Sequence, residues 1–409
     1  MSHLIILGLS LLVMIVLVRL KVELGLAMLA SAVLLGFLGR LTPLTLARTL
    51  GSSWVEATAL NLLASLLAIR LLENVLRKQG YLQKVLSSLR ALFADSGVVM
   101  ALCPAFLGLL PSAGGAVLSA PMVEEAAAGK DLSAEDKSVV NYWYRHIWEY
   151  SLPLYPGIIL AAKFVAIPLT RLMFLLFPFT VLKALLGIPV ALGPIKKKSQ
   201  AKMTKALPSV RKRELRNLLV GISPVLLVIA AVVGLGVEVW LAVLGVIVGL
   251  LILHRCGIRK ILAYIREALS LRTTLLVAGV MAFRGMLGAT GLVTALPKIF
   301  TVFGFPPLAM IILFPLTMGL LIGLGQGFVA ASFPLLIGLL GTGADARLGL
   351  VVLAFVSGFV GVMLTPLHFC FVLTVQFFQA DLGKVWRRIA PAMAGILLLA
   401  IPYGLWVIR

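Results

Sequence analysis

Two glycine-rich turns and two proline breaks carry most of the residues in this chain that could hold a small ligand. The turns are PSAGGA at 111–116 and IGLGQG at 322–327; the breaks are EYSLPLYPG at 149–157 and MLTPLHFC at 363–370. Proline removes a backbone donor and stops the preceding helical turn from closing, so carbonyls and half-helix ends are freed. Half-helix N-termini favour anionic groups, whereas freed carbonyls and hydroxyls can hold a sodium ion. The candidate contacts are Ser112, Ala113, Gly114 and Gly115 at the first turn and Gly325, Gln326 and Gly327 at the second. Ser151, Pro153, Thr365, Pro366 and His368 join them at the breaks.

Titratable side chains are sparse. Arg145, His146 and Glu149 lie in NYWYRHIWEY at 141–150, and on a continuous helix Arg145 and Glu149, at i and i+4, share a face and can pair. The stretch follows a charged segment, 124–137, so it is expected at the cytoplasmic interface with Trp143, Tyr144 and Trp148 as an aromatic belt. A buried structural pair and a role in ion coupling or substrate binding are the alternatives. His368 stands two residues after a proline in 348–380, a run of 33 residues without Asp, Glu, Lys or Arg. Its imidazole could donate to a freed carbonyl or act as a proton or substrate ligand. His368, Glu149 and Arg145 are the candidates for coupling; replacing His368 with Gln would flatten the pH dependence of a proton-coupled uptake. Cys103, Cys256 and Cys370 are far apart and form no CxxC or Cys/His pair, so no disulfide, metal site or cofactor is expected beyond Na+ or H+ as a coupling ion.

The elements that carry these motifs occur twice. Pro104 and Gly108 recur as Pro315 and Gly319 at an offset of 211 (315 − 104), and Pro121 and Pro153 recur as Pro334 and Pro366 at 213 (334 − 121). The two extra residues fall at the glycine-rich turns. A duplicated apolar element broken by Gly and Pro is the best sequence pointer to a carrier's binding site.

Composition sets the class: 61% hydrophobic residues, 12% charged and a mean hydropathy of +1.11 describe an all-α polytopic membrane protein. The net charge of +21 sits in short segments between apolar runs, the positive-inside pattern, which argues against a nucleic-acid partner. Arg19 and Lys21 follow the first apolar run, 4–18, the reverse of a cleavable signal's charge order, so a retained helix with its N-terminus outside is expected. The segment 194–216 holds nine Lys and Arg against one acid, Glu214, and reads as a cytoplasmic linker between halves 1–193 and 217–409. The loop 255–272 and the cluster Lys384, Arg387 and Arg388 read as cytoplasmic too.

Apolar runs place spans near 4–18, 22–39, 54–74, 138–161 and 163–187, then 217–237, 239–253, 273–289, 345–373 and 391–408. An odd number of crossings per half inverts the second copy, giving about ten transmembrane helices in two inverted-topology repeats. Between the third and fourth span of each half lies a re-entrant helical hairpin, 96–128 and 306–340. The charge-free run 96–123 is 28 residues long but is broken at 111–115, leaving arms of about 20 Å that cannot cross a core of about 30 Å. The run 299–344 has 46 residues without a charge and must turn back at GLGQG. Each hairpin is followed by a broken helix, 138–161 and 345–373, and preceded by an amphipathic arm, 80–92 and 291–303. Arg70 and Arg284 end the third spans and are expected to snorkel.

This order of elements resembles the ion transporter superfamily of secondary carriers. Within it, the PSAGG turn, the SAP at 119–121 and the TPLHFC stretch at 365–370 are most similar to the domain-of-unknown-function family 401 of prokaryotic integral membrane proteins. The resemblance implies the hairpin tips and helix breaks as the binding positions, a homodimer, and an elevator-type movement of the hairpin domain. Dicarboxylate carriers of the superfamily bear Ser-Asn-Thr at these positions, and this chain has no such triplet.

The expected function is cation-coupled secondary transport of a small, anionic solute across the cytoplasmic membrane of a bacterium or archaeon. An ion channel or a cation/proton exchanger is the alternative. The chain shows no nucleotide loop, HExxH, GxSxG triad or Asp pair, so neither ATP-driven transport nor a membrane-embedded enzyme has visible chemistry.

Overall fold

The computed structural model describes residues 3–93, 96–110, 115–198, 208–292 and 306–407, and all regular structure among them is helical. Six described helices are long and apolar enough to cross a membrane, and further apolar helices of 10–17 residues accompany them.

Helices α1 (His3–Arg19), α2 (Leu24–Leu38), α3 (Pro43–Val55) and α4 (Ala57–Lys78) open the chain. The amphipathic α3 had no counterpart among the expected spans. It starts where Thr42 Oγ1 accepts from the Thr45 amide at 3.2 Å, with Pro43 in the first turn, where a missing N–H costs nothing. Helix α5 (Tyr81–Leu92) follows and buries Tyr81, Leu82, Val85 and Leu89. Helices α6 (Ser96–Leu107) and α7 (Gly115–Ala127) pack on each other, and the intervening Pro111, Ser112, Ala113 and Gly114 lie outside the described residues.

Helix α8 (Ala134–Arg145) begins with a capping box in which the Asp136 amide donates to Ser133 Oγ at 3.1 Å and the Ser133 amide donates to Asp136 Oδ2 at 3.0 Å. It ends at Arg145, is followed by a 3-10 turn (Ile147–Tyr150), and the chain resumes as α9 (Pro156–Val165) and α10 (Leu169–Gly187). The interruption therefore starts well before Pro153, the expected break.

The short α11 (Gly193–Lys198) runs to the edge of residues 199–207, which are not described, and α12 (Pro208–Gly234) starts inside the segment expected as linker. Helices α13 (Val239–Leu253), α14 (Ile258–Ala268) and α15 (Leu271–Ala289) follow. The arm expected at 291–303 falls almost wholly outside the described residues.

Helices α16 (Pro307–Ile322) and α17 (Gly325–Leu340) pack on each other across a two-residue turn. Gly323 closes α16 with φ +70°, its amide donating back to Gly319 at 2.9 Å, the left-handed cap that glycine adopts without a Cβ penalty. Helices α18 (Leu348–Leu364), α19 (Phe369–Phe378) and α20 (Leu382–Val407) complete the chain, with 365–368 interrupting the first two.

Several helix contacts permit no side chain. A Cβ on Gly319 of α16 would lie 2.1 Å from the Gly358 carbonyl of α18, and one on Gly279 of α15 would lie 2.1 Å from the Gly25 carbonyl of α2. With no hydrophobic drive between helices in lipid, such close approach supplies the dispersion contact that holds them.

The halves interlock reciprocally. Helix α9 of the first half packs on α17, the returning arm of the second helix pair, and α19 of the second half packs on α7, the returning arm of the first.

Candidate functional site

The break after α8 is buried inside the protein. Arg145 and His146 are 2% and 1% exposed, and Tyr142 and Trp143 are fully enclosed. The expected interfacial belt is therefore corrected: Trp143 Nε1 donates to the Lys183 carbonyl at 2.9 Å and Trp148 Nε1 to the Ala105 carbonyl at 2.8 Å, so these indoles satisfy backbone acceptors within the protein. Aromatic residues beside charges suited the belt reading only while neighbouring helices were unknown.

Helix ends leave carbonyls without partners, and buried ones need donors. Each broken helix supplies them to its own hairpin-like pair. In the first half Trp148 serves Ala105, Tyr155 Oη donates to Gly108 at 2.6 Å, and Arg145 Nη2 donates to Leu110 at 3.0 Å. In the second half Thr365 Oγ1 donates to Leu320 at 2.6 Å and His368 Nδ1 lies 2.7 Å from the Gly323 carbonyl. Arg145 Nη1 also donates to Tyr155 Oη at 3.1 Å.

The expected i, i+4 face shared by Arg145 and Glu149 does not form, because α8 ends at Arg145. Glu149 instead turns to His146, with Oε1 3.7 Å from Nε2. His146 Nε2 lies 2.9 Å from His368 Nε2, joining the two breaks across 222 positions. Lys183, fully buried in α10, donates to the His146 carbonyl at 3.0 Å, with its ammonium 4.6 Å from the Phe359 ring centre and within 5.8 Å of those of Trp143 and Tyr150. An ammonium over aromatic faces keeps part of the stabilisation it loses on leaving water.

The second turn meets the same cluster. A Cβ on Gly325 would lie 3.5 Å from Glu149 Oε2, and one on Gly157 would lie 3.2 Å from the Gly325 carbonyl, so the starts of α9 and α17 meet there. Gln326 is half-buried beside them, and Gly327 packs on Ile322 and Leu24.

Glu149, Gly325 and His368 are thus brought together, while Thr365 braces the end of α16. Ser151 turns away to Thr180 Oγ1 at 2.8 Å, Pro153 is buried in the break, and Pro366 is exposed. Gly115 begins α7, next to the candidates Ser112, Ala113 and Gly114, which lie outside the described segments. Arg284 pairs with Glu56 at 3.2 Å and Arg70 donates to the Ala268 carbonyl at 3.2 Å, so both have fixed partners at helix ends.

His146 and Lys183 are the members of this cluster absent from the sequence-derived candidates. The signal for Lys183 was present: a lone lysine between VL and ALL in an apolar span. Cys370 also joins the histidines, with Sγ and both nitrogens all within 4.8 Å of one another, a Cys/His grouping that the sequence reading missed. The nitrogen separation of 2.9 Å is shorter than the roughly 3.3 Å expected for two tetrahedral ligands about 2.0–2.1 Å from zinc, and suits a hydrogen bond. An apolar groove of about 720 Å³ between α1, α2 and α3, lined by residues such as Leu17, Leu29 and Phe37, offers nothing to a polar solute.

Residues 1–407 match the family described as "Protein of unknown function (DUF401)". The chain belongs to that family. No curated protein matches it in sequence. Among solved structures it is similar to the YdaH transporter of Alcanivorax borkumensis, whose crystal structure was described as revealing an unusual topology. The TM-score is 0.62 at 16% identity, covering 88% of each chain. At that identity the likeness is one of fold. This DUF401 member is accordingly an integral, multi-pass membrane protein, helical throughout its described residues and similar in fold to that protein.

Proposed function

We propose that this protein is a secondary active transporter that moves a small, anionic solute across the cytoplasmic membrane, driven by a cation gradient. The observation that carries the reading is the meeting of both helix breaks and the second turn around Glu149, His146, His368 and Lys183. Charges buried within membrane proteins are costly and mark ion or substrate paths. The starts of α9 and α17 are the positive ends of those helices, and Arg145 and Lys183 add positive charge, a setting suited to an anion.

On this reading 96–128 and 306–340 are re-entrant hairpins in inverted repeats of about ten spans, and 194–216 is cytoplasmic. The hairpin domain moves as an elevator within a homodimer, with α5 as a brace between moving and fixed parts. The titratable cluster favours H+ over Na+ as the coupling ion. The hairpin-tip residues Ser112 to Gly115 and Gly325 to Gly327 are the proposed solute contacts.

The test is thermal stability of the purified protein against a panel of organic and inorganic anions, with sodium, with potassium and across pH. A ligand that binds the folded state alone raises the melting temperature. The solute so found should accumulate in proteoliposomes under an imposed pH gradient. Single-channel currents, or no stabilisation by any anion, would move the assignment to a channel or a cation exchanger.

A further inference from the structure

The two histidines that join the breaks face three contacts. His146 Nδ1 lies 2.7 Å from the Tyr142 carbonyl, His368 Nδ1 lies 2.7 Å from the Gly323 carbonyl, and the Nε2 atoms lie 2.9 Å apart. A carbonyl offers only lone pairs, so each Nδ1 must carry a hydrogen, and the contact between the Nε2 atoms needs a third. Two neutral imidazoles supply two. Shifting a hydrogen from either Nδ1 to its own Nε2 fills the middle contact but sets a nitrogen lone pair against a carbonyl lone pair at 2.7 Å. With the residues only 1% and 6% exposed, solvent does little to relieve that repulsion.

We propose that His146 and His368 bind one proton between their Nε2 atoms, as a singly charged pair, and that this proton is the coupling ion. The first half stands on the geometry alone; the second rests on the transport reading above.

The groups around the pair limit it to a single added charge. Glu149, on the 3-10 turn, places Oε1 3.7 Å from His146 Nε2 and is the one carboxylate in the cluster among the described residues. Lys183 on α10 and Arg145 on α8 act on both rings with positive charge, and Cys370 on α19 stands nearby. Tyr142 on α8 packs its ring against both imidazoles, centres 4.8 and 5.7 Å away. Lys183 and Arg145 already outnumber Glu149, so one added proton has a single carboxylate beside it and a second would meet only further like charge.

The proton also has a mechanical consequence. His368 holds the Gly323 carbonyl at the second turn, and His146 belongs to the first half's break, so the bridging hydrogen fastens that turn to the opposite half. Its departure leaves two facing lone pairs and releases the contact. Arrival of a proton thus closes the junction beside the proposed anion site and adds a positive charge there, the condition for moving proton and anion together.

The measurement is nitrogen NMR of histidine-labelled protein in lipid bilayers, made with the His3→Gln/His254→Gln double variant, which leaves only His146 and His368 as labelled residues. At neutral pH we expect three of the four ring nitrogens to be protonated and the two Nε2 signals to be coupled through the shared hydrogen. Raising the pH should remove that one proton and the coupling together. Only two protonated nitrogens, no coupling between the Nε2 atoms, or a spectrum altered by EDTA would overturn the shared proton. For the second half, proteoliposomes with His368→Gln should lose pH-driven accumulation of the solute and the proton taken up with each solute molecule, whatever their rate of downhill exchange. Accumulation unchanged in that variant would overturn the coupling role. A coupled pair of nitrogens in a protein that transports nothing would overturn the transport reading and leave the proton site standing.

Discussion

Glu149 and Gly325 face each other across the junction of the two halves: a side chain begun at Gly325 would set its first carbon 3.5 Å from Glu149 Oε2. Gly325 opens α17, so the carboxylate stands at the positive end of a helix as well as beside His146. Replacing Glu149 with Gln keeps the shape and removes the charge. A carboxylate at a partly buried helix start contributes up to about 2 kcal/mol, and we expect Glu149→Gln to lower the melting temperature in detergent correspondingly. An unchanged melting temperature would show that the carboxylate is not ionised in the resting protein.

Gly319→Ala should be far more damaging than its size suggests. Its methyl group would meet the Gly358 carbonyl at 2.1 Å, backbone against backbone, with no flexible side chain to yield. Overpacking costs about 1–3 kcal/mol in well-packed cores, and this contact belongs at or above the upper end. Gly245→Ala on α13, which meets nothing within 4 Å, is the control and should melt within a few degrees of the wild type. Size-exclusion profiles and melting curves of the two variants compare them directly.

Tyr155→Phe removes one oxygen that both donates to Gly108 and accepts from Arg145. A buried carbonyl left without its donor costs about 1–3 kcal/mol, more than the bond itself contributes. Thermal unfolding should show a loss of that order, with the ring's packing intact.

Lys183→Met should also destabilise. The thioether can occupy the aromatic enclosure but cannot donate to the His146 carbonyl, and a hydrogen bond from a charged donor contributes about 1.5–3 kcal/mol. Lys183→Arg is not expected to rescue, since a planar fork does not fit a cage built around a point charge.

Orientation can be read from one native cysteine. Cys256 is half-buried within the basic loop 255–272, whereas Cys103 and Cys370 are buried. A membrane-impermeant maleimide should label Cys256 in inside-out vesicles and spare it in intact cells; the reverse pattern would invert the proposed topology.

Helical class and membrane residence could be read from apolar run lengths, and the interruptions at 323–324 and 365–368 from glycine and proline chemistry acting over a few residues. The cluster could not. Whether the indoles of Trp143 and Trp148 meet lipid headgroups or the carbonyls of Lys183 and Ala105 depends on helices distant in sequence. The partnership of His146 with His368 spans 222 positions and has no local signature. Lys183 could have been singled out from its apolar neighbours, but its role as donor to the break could not. Helix α3 escaped because one apolar stripe on a 13-residue helix resembles a loop when spans are sought by total hydropathy.

The reciprocal packing of α9 on α17 and α19 on α7 constrains the order in which the protein can mature. Helix α9 leaves the ribosome long before residues 325–340 exist, and α7 long before 369–378. The first half must therefore wait, with Lys183 short of Phe359 and His146 short of His368, until nearly the whole chain has been synthesised. Truncated products should be cleared by quality control, whereas the two halves supplied as separate polypeptides should assemble, because each completes the other's unfinished surface.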